Sequence, residues 1–333
     1  MSDRRRWAAI AAAAVVLLAA GIIAIAATSD GGDDTETPKP GTAPETGTIE
    51  AGESPPSPSP PRVRRIPVGG NPDSIAAGGE FVWVADSLRG TVRRIHPEGD
   101  RPIPVEAAGF PTDVAADESG AWLALPDRGA VQRLSPDAPP GPPVQTRGFP
   151  FRLALGESGL WAMSQKAVER LDPATGDAGG DPIMLAGGGA AAIAAGEGWV
   201  WVVRARGDVL QIDPDSGRPR PEPGASLPGV FEVATGEGAA WALETRGTLD
   251  RIDPGSGDAR SSPARLRGGR DVAAGLGYVW VASREGVIRF DPIRLKAVGK
   301  PIPVGRRPHA IAVGGGSVWV ASAGDGAVYR IDP

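Results

Sequence analysis

The sequence predicts an all-β protein, a seven-bladed β-propeller of four-stranded blades, and three regularities carry this prediction. A branched aliphatic residue followed by alanine stands eight residues before each of seven evenly spaced tryptophans. An apolar residue that leads into a turn follows ten to twelve residues after most of them. A sequence period near 40 is typical of a repeat architecture. The tryptophans follow one another at steps of 39 or 40 residues: Trp83, Trp122, Trp161, Trp201, Trp241, Trp280 and Trp319.

Each repeat has the pattern of four short strands. The runs Val82–Ala85 and Val279–Ala282 are continuously apolar, which is typical of a strand that is covered on both faces. The segment Asp172-Pro173-Ala174-Thr175-Gly176 has turn chemistry, because Asp bonds the local backbone, Pro presets φ and Gly accepts a positive φ. No helical period follows residue 30. Four-stranded units of this length fit propeller blades.

The ring is expected to close with a strand borrowed from the start of the repeat region. The sequence ends at Asp332-Pro333, where the fourth strand of the last unit should begin. The segment Arg64–Gly69 matches Lys300–Gly305 in pattern and precedes the first complete unit. We therefore expect residues 64–333 to form one closed, monomeric propeller with Arg64–Gly69 in the seventh blade.

An apolar segment at the N-terminus predicts a membrane anchor. Residues 1–6 end in three arginines, and residues 7–27 are free of charge. About 20 apolar residues at 1.5 Å each span a bilayer core of roughly 30 Å. The basic flank predicts that residues 1–6 stay in the cytoplasm and that the rest is extracytoplasmic. A cleaved signal peptide is the alternative, since Ala24-Ile25-Ala26 has the pattern of a cleavage site, although such segments are usually shorter.

Residues 28–63 predict a disordered linker. They are built from Thr, Pro, Gly, Glu and Ser and have no hydrophobic period, so they cannot bury enough apolar surface to order themselves. Proline-rich chain extends about 3.1 Å per residue, which gives a tether of up to roughly 100 Å. A proline-rich recognition ligand is the alternative reading of this segment.

Composition excludes several classes of function. The chain has no cysteine, which excludes disulfides, thiol nucleophiles and thiolate metal sites. Its formal net charge is -5, whereas nucleic-acid binders normally carry a basic patch or stripe. We therefore expect no nucleic-acid partner.

The repeats resemble bacterial seven-bladed propellers of the YVTN and NHL class, and in particular the streptogramin-lyase-like (virginiamycin B lyase-like) group. The resemblance rests on Val-Gly-x-x-Pro-x-x-Ile-Ala, as in Val304–Ala312, on the Val-Trp-Val-Ala strands and on the Arg-Ile-Asp-Pro strand ends. Lyases of this group use histidines and glutamates around a magnesium ion at the propeller mouth. Only His309 is expected there, because His96 occupies a turn position, so no catalytic residue, metal ligand or cofactor is carried over.

Positions that vary within a regular repeat indicate where a ligand would bind, since binding residues concentrate on loops of a rigid scaffold. Nine and ten residues before each tryptophan, and three after it, the residue type changes from unit to unit. We expect two arginines on one side of the mouth and acidic residues across from them, orienting a polar or zwitterionic ligand. Drift among solvated loop positions is the alternative. The candidates are Arg152, Arg204, Glu232, Glu244, Asp271 and His309.

The sequence thus favours a membrane-tethered, extracytoplasmic, non-catalytic module that binds or senses a small polar ligand or an envelope protein. A lyase- or lactonase-type enzyme with an atypical site is the first alternative, and such an enzyme needs converging acid, base or metal ligands. A protein-interaction platform is the second, and it predicts an exposed apolar patch on one face.

Overall fold

The protein is described by a computed structural model that covers residues 60–99, 101–220 and 227–333. These residues form 26 strands, numbered along the chain, and one short 3₁₀ turn at Pro126–Arg128. The strands make seven antiparallel sheets arranged in sequence order. The predicted all-β, seven-bladed propeller is therefore confirmed.

Three strands of every blade come from one repeat. The inner strands are β2 (Ser74–Gly78), β6 (Asp113–Asp117), β10 (Arg152–Gly156), β14 (Ala190–Gly196), β17 (Val230–Gly236), β21 (Asp271–Gly275) and β24 (Pro308–Gly314). The second strands are β3 (Phe81–Asp86), β7 (Gly120–Leu125), β11 (Gly159–Met163), β15 (Trp199–Arg204), β18 (Ala239–Glu244), β22 (Tyr278–Ser283) and β25 (Ser317–Ser322). The third strands are β4 (Thr91–Ile95), β8 (Ala130–Leu134), β12 (Ala167–Leu171), β16 (Val209–Ile212), β19 (Leu249–Ile252), β23 (Gly286–Phe290) and β26 (Ala327–Asp332).

The fourth, outer strand is short and varies between blades. In blade six it is reduced to isolated bridges, because Ile302 exchanges backbone hydrogen bonds with Val287 while Pro301 and Pro303 have no N–H to donate. In blade four only Pro219 bridges to Ile212 in the described part of the chain. The outer strands of blades one, two, three and five are β5 (Ile103–Val105), β9 (Pro143–Gln145), β13 (Ile183–Met184) and β20 (Ala259–Ser261).

The first strand of the propeller closes the ring, as predicted. Strand β1 (Arg62–Pro67) pairs antiparallel with β26 from Arg62 opposite Asp332 to Pro67 opposite Ala327. The Val68 and Gly69 amides continue the contact by donating to the Gly326 carbonyl. The seventh blade therefore combines residues from both ends of the repeat region.

The propeller has two distinct faces. The inner strands begin at the upper face, which also carries the turns between second and third strands and the loops between blades. The turns between inner and second strands, and between third and fourth strands, lie on the lower face. Because Arg62 lies opposite Asp332, at the end of β26, the chain enters the propeller at its lower face.

The seven repeat tryptophans form the cores between blades. Each is at most 1% exposed and packs against the following blade, as Trp83 packs against Val114 and Leu123. Trp319 and Ile66 of the last blade share one cluster with Ile75 of the first blade, which joins the two blades. The core of this fold thus lies between the sheets.

On the lower face, an arginine beside the tryptophan reinforces several of these cores by bonding to the next blade, and we call this arrangement a lower-face latch. Arg133 on β8 lies directly opposite Trp122 on the adjacent strand β7, with its guanidinium 5.6 Å from the indole centroid. The same guanidinium donates to the Pro173 carbonyl of the next blade at 2.5 Å. Arg170 repeats this arrangement on Trp161, with a 3.1 Å bond to the next proline carbonyl. Cation–π contacts and hydrogen bonds from a charged group each stabilise the pairing of neighbouring blades.

Within the described ranges, no helix is long and apolar enough to cross a bilayer. The predicted anchor at residues 7–27, its flank at residues 1–6 and most of the predicted linker at residues 28–63 lie outside these ranges. These assignments stay predictions.

Replacing Ile66 with alanine should destabilise the whole ring. Ile66 belongs to the last blade and is fully buried in the cluster that this blade shares with the first, and deleting such a side chain costs about 2–5 kcal/mol of unfolding free energy. Chemical denaturation of Ile66→Ala measures this loss. Val63→Ala is the control on the same strand, since Val63 is 38% exposed and its truncation should cost less than about 0.5 kcal/mol. Equal losses in the two variants would show that β1 does not complete the core.

Candidate functional site

The candidate site lies where the inner strands begin at the upper face. Each inner strand is an edge strand that pairs only with the second strand of its blade, so its free edge borders the central channel. We call the residue nine positions before each repeat tryptophan the rim residue of that blade. In blade order the rim residues are Ser74, Asp113, Arg152, Ala192, Glu232, Asp271 and Ala310.

Three rim residues tie their blade to the next one. Each accepts a hydrogen bond from the amide that follows the neighbouring rim position, at 2.7–3.1 Å. These side chains therefore have a structural role as well as a place at the mouth. The bonds run from Val114 N to Ser74 Oγ, from Leu153 N to Asp113 Oδ2 and from Ile311 N to Asp271 Oδ2.

An ion pair crosses the rim between blades three and five. Arg152 Nη2 lies 3.1 Å from Glu232 Oε2, and blade four, which stands between them, contributes only the small side chain of Ala192. The Glu232 side chain is 11% exposed, whereas that of Arg152 is 33% exposed. Arg152 therefore remains accessible from the channel while its partner is largely enclosed.

Burial shifts the pKa values of Glu232 and Asp271, which together with Arg152 form what we call the rim cluster. It raises the pKa of Glu232, although the Arg152 charge opposes the shift. The same effect, followed by repulsion from Glu232, raises the pKa of Asp271 to about 8. The Glu232 charge in turn raises the pKa of Arg152, which stays cationic. A proton on Asp271 is therefore exchangeable near neutral pH.

Asp73 and His309 extend the cluster around the rim. Asp73 accepts bonds from the Ser87 amide, at 3.0 Å, and from the Ser87 hydroxyl, and burial raises its pKa to about 6. His309 Nδ1 lies 3.1 Å from the Asp73 carbonyl oxygen, to which it donates, so Nε2 is the acceptor nitrogen of the neutral ring. Burial lowers the pKa of His309, which keeps the ring neutral.

The structure places the other two predicted residues away from this cluster. Arg204 pairs with Asp208 and donates to the Ala186 carbonyl at 2.8 Å, so it is held on the turn at the end of β15. Glu244 ends β18, at the corresponding turn of blade five. Arg152, Glu232, Asp271 and His309 are thus brought together, and the expected separation of arginines from acids is not seen, because Arg152 contacts Glu232 directly.

Two members of the cluster were not singled out from the sequence. Asp73 and Asp113 stand at the same two variable positions as the chosen residues, in blades one and two. The sequence feature that could have identified them is a charged residue at a position where other units carry alanine.

Below the rim, the channel is lined by small apolar side chains. A cavity of about 280 Å³ is bordered by residues of the inner strands, with Thr235 as a polar exception. Its wall is built largely from alanine at the positions seven and six residues before the tryptophans. The site therefore combines a charged mouth with an apolar interior.

The magnesium site implied by the lyase resemblance does not fit these residues. No group of three or more His, Asp or Glu side chains is placed to hold a metal ion in the ranges that the structure describes. His309 stands beside a backbone carbonyl, and the rim carboxylates of Asp113 and Asp271 bind backbone amides.

Comparison with known proteins supports the fold. No family model matches the chain, and no curated relative matches it. Virginiamycin B lyase from Staphylococcus aureus is similar in structure, with a TM-score of 0.65 at 17% identity over 81% of this chain and 99% of that one. The WD40 domain of Pan2 from Neurospora crassa has a TM-score of 0.65 at 11% identity, over 79% of this chain and 89% of that one. The likeness to the streptogramin-lyase propeller is therefore confirmed at the level of the fold.

Stability should depend on the ionisation of Asp271. Its folded pKa of about 8 lies above the ordinary value of 3.8 for an aspartate side chain, so the folded state holds the proton more tightly and stability falls as pH rises from about 4 to 8. Asp271→Asn stays neutral but loses one of the two amide bonds that the carboxyl oxygens accept. We expect the variant to be less stable than the parent at pH 5, and this gap to narrow by pH 9 in chemical denaturation.

Asp213→Asn is the matched control. Asp213 lies on an exposed turn, and the Ser216 amide lowers its pKa, so its contribution is fully present above about pH 4 and lost only below that pH. Its stability gap to the parent should stay constant between pH 5 and 9. A constant gap for Asp271→Asn as well would remove Asp271 as the titrating group.

Proposed function

We propose that the protein is a membrane-tethered, extracytoplasmic binding module that holds a small zwitterionic ligand at the upper mouth of the propeller without catalysis. The observation that carries this proposal is the Arg152–Glu232 ion pair above an apolar channel. A concave apolar site with a few converging polar groups and perturbed pKa values is the usual form of a ligand site.

The cluster offers complementary partners to a ligand that carries both charges. Arg152 has five N–H donors in a planar fork, and its contact with Glu232 uses only part of this capacity, which suits a ligand carboxylate or phosphate. Asp271 and Asp73 lie close enough to influence the charge of Arg152 and can face an ammonium group. A cation at this position would favour their ionised forms, so binding should release protons.

The channel and the point of attachment support this assignment. Alanine walls leave room below the rim for a short apolar body, so an amino acid with an aliphatic side chain fits the combination of charges and space. The propeller is entered at its lower face, opposite the mouth. A tether that starts at the lower face leaves the mouth open to ligand from the side away from the proposed anchor.

A second candidate function, a protein-interaction platform, is favoured by apolar side chains on the upper loops of blades one to three. Leu88, Phe110 and Phe149 are 60%, 41% and 72% exposed. Clustered exposed apolar groups are typical of interaction surfaces. This function predicts that Phe149→Ser leaves any response to amino acids unchanged, because Phe149 does not belong to the rim cluster.

Removing the rim ion pair should weaken ligand binding without unfolding the protein. In Arg152→Met/Glu232→Gln both charges are removed together, so neither is left buried and unpaired. A panel of the standard amino acids, tested by thermal shift on the full chain, identifies those that stabilise the parent. Losing a charged hydrogen bond should weaken their affinity by about 1.5–3 kcal/mol, or roughly 10- to 150-fold.

The matched control removes the neighbouring ion pair on blade four, as Arg204→Met/Asp208→Asn. This control should bind the same amino acids as the parent. Equal weakening in both double variants would place the site elsewhere. A parent that responds to no amino acid would contradict the zwitterionic ligand class.

The proposed topology is open to protease mapping. With the basic flank inside and the linker outside, protease added to intact cells should cleave within residues 28–63 and release the propeller. Immunoblotting of cells and supernatant measures this release, and a cytoplasmic protein serves as the control for lysis. Complete protection of the chain would contradict the extracytoplasmic assignment.

A further inference from the structure

A strongly basic surface borders the mouth on one side, and the proposed ligand site does not use it. Seven arginines lie on the upper-face loops of blades five, six and seven, and all seven are exposed. We call this set the arginine arc. Its members are Arg246, Arg265, Arg267, Arg270, Arg284, Arg306 and Arg307.

The arc concentrates positive charge on a protein that is acidic as a whole. On these described loops the exposed acid is Glu285, which lies 3.7 Å from Arg267. The other six arginines make no ion pair or side-chain hydrogen bond within the part of the chain that the structure describes. Since the formal net charge of the chain is -5, this clustering is a local feature and not a result of composition.

The arc is also continuous. The Arg284 amide donates to the Arg267 carbonyl, and the Arg284 side chain lies against Gly268, so the turn and the incoming loop of blade six form one surface. The Gly324 amide donates to the Arg306 carbonyl and joins the corresponding segments of blade seven. Arg270 and Arg307 both lower the pKa of His309, which places the inner end of the arc beside the mouth.

The chemistry of the arc selects among anionic partners. Guanidinium groups bind carboxylates and phosphates through two parallel hydrogen bonds. The exposed large apolar residues of the described chain, such as Phe110 and Phe149, lie outside the upper loops of blades five to seven. A protein partner normally anchors apolar or aromatic groups, and single-stranded nucleic acid stacks its bases on exposed aromatic rings. Both are disfavoured by a purely cationic surface.

We infer that the arginine arc binds a linear anionic polysaccharide. An extended polymer fits a surface that runs over three successive blades, and repeated carboxylates or phosphates along it can meet several arginines at once. This inference goes beyond the proposed ligand site, because it assigns a different surface and a different class of partner. Such binding is electrostatic, so it should weaken steeply as salt rises.

The test uses polygalacturonate, a linear carboxylate polymer, as the probe for the full chain. The variant Arg265→Ser/Arg284→Ser/Arg306→Ser removes one arginine from each of three loops, away from the rim cluster. Because at least three contacts are lost, we expect the dissociation constant in calorimetry at low salt to rise by about tenfold or more, with a shallower salt dependence.

The matched control removes three exposed arginines outside the arc, as Arg89→Ser/Arg128→Ser/Arg218→Ser. It has the same net charge as the arc variant and should weaken binding by less than about twofold. Equal weakening of polygalacturonate binding by both variants would show that affinity depends only on net charge, and would overturn the inference. So would an absence of binding by the parent, equal binding of neutral dextran, or tighter binding of poly-L-glutamate or of a DNA oligonucleotide.

Discussion

The packing of one tryptophan against the next blade is the interaction on which this structure depends. Every blade contributes one such indole, and each is essentially inaccessible to solvent. A single blade cannot bury its own tryptophan, because the covering side chains belong to the next repeat. Stability therefore requires closure, and the packing of Trp319 with Ile75 of the first blade is as necessary as any other contact between neighbouring blades.

Because the blades are held together by residues away from the mouth, the residue types at the rim positions can vary from blade to blade. The tryptophans, the aliphatic residues eight positions earlier and the lower-face latches hold the blades together. At the rim, some blades still use a hydroxyl or carboxylate to bind the next blade, but Ala192 and Ala310 show that the ring tolerates the loss of this bond. Polar side chains can therefore be placed at the mouth without a large effect on the scaffold.

The fold was predictable from the sequence because its signal is repeated seven times, whereas the site was not, because each of its contacts occurs once. The similarity of Arg64–Gly69 to Lys300–Gly305 predicted the pairing of β1 with β26. The reduced outer strand of blade six was also visible in its prolines, since Pro301 and Pro303 cannot donate to a ladder.

The site depends on distances between blades that no local pattern encodes. That Arg152 reaches Glu232 follows from the ring geometry and from the small residue between them. Arg204 illustrates a signal that was available, because Asp208 stands four residues later across a tight turn, where an ion pair forms locally. Residue type at a variable position thus located the mouth, but it could not distinguish a side chain aimed at the channel from one neutralised on its own turn.

The charged side chains of the mouth are partly enclosed, whereas those of the arginine arc are exposed. This difference determines how each surface would act on a ligand. At the mouth, one cation is surrounded by carboxyl groups in a partly enclosed space, so the orientation and protonation of these groups would decide which ligand the proposed site accepts. On the arc, exposed cations act mainly through a field that extends about a Debye length, roughly 10 Å at moderate salt. Such a field raises the local concentration of anionic groups over the opening. The binding of a polyanion that we propose for the arc and the binding of a small ligand that we propose for the rim are therefore separable, because they rest on different residues.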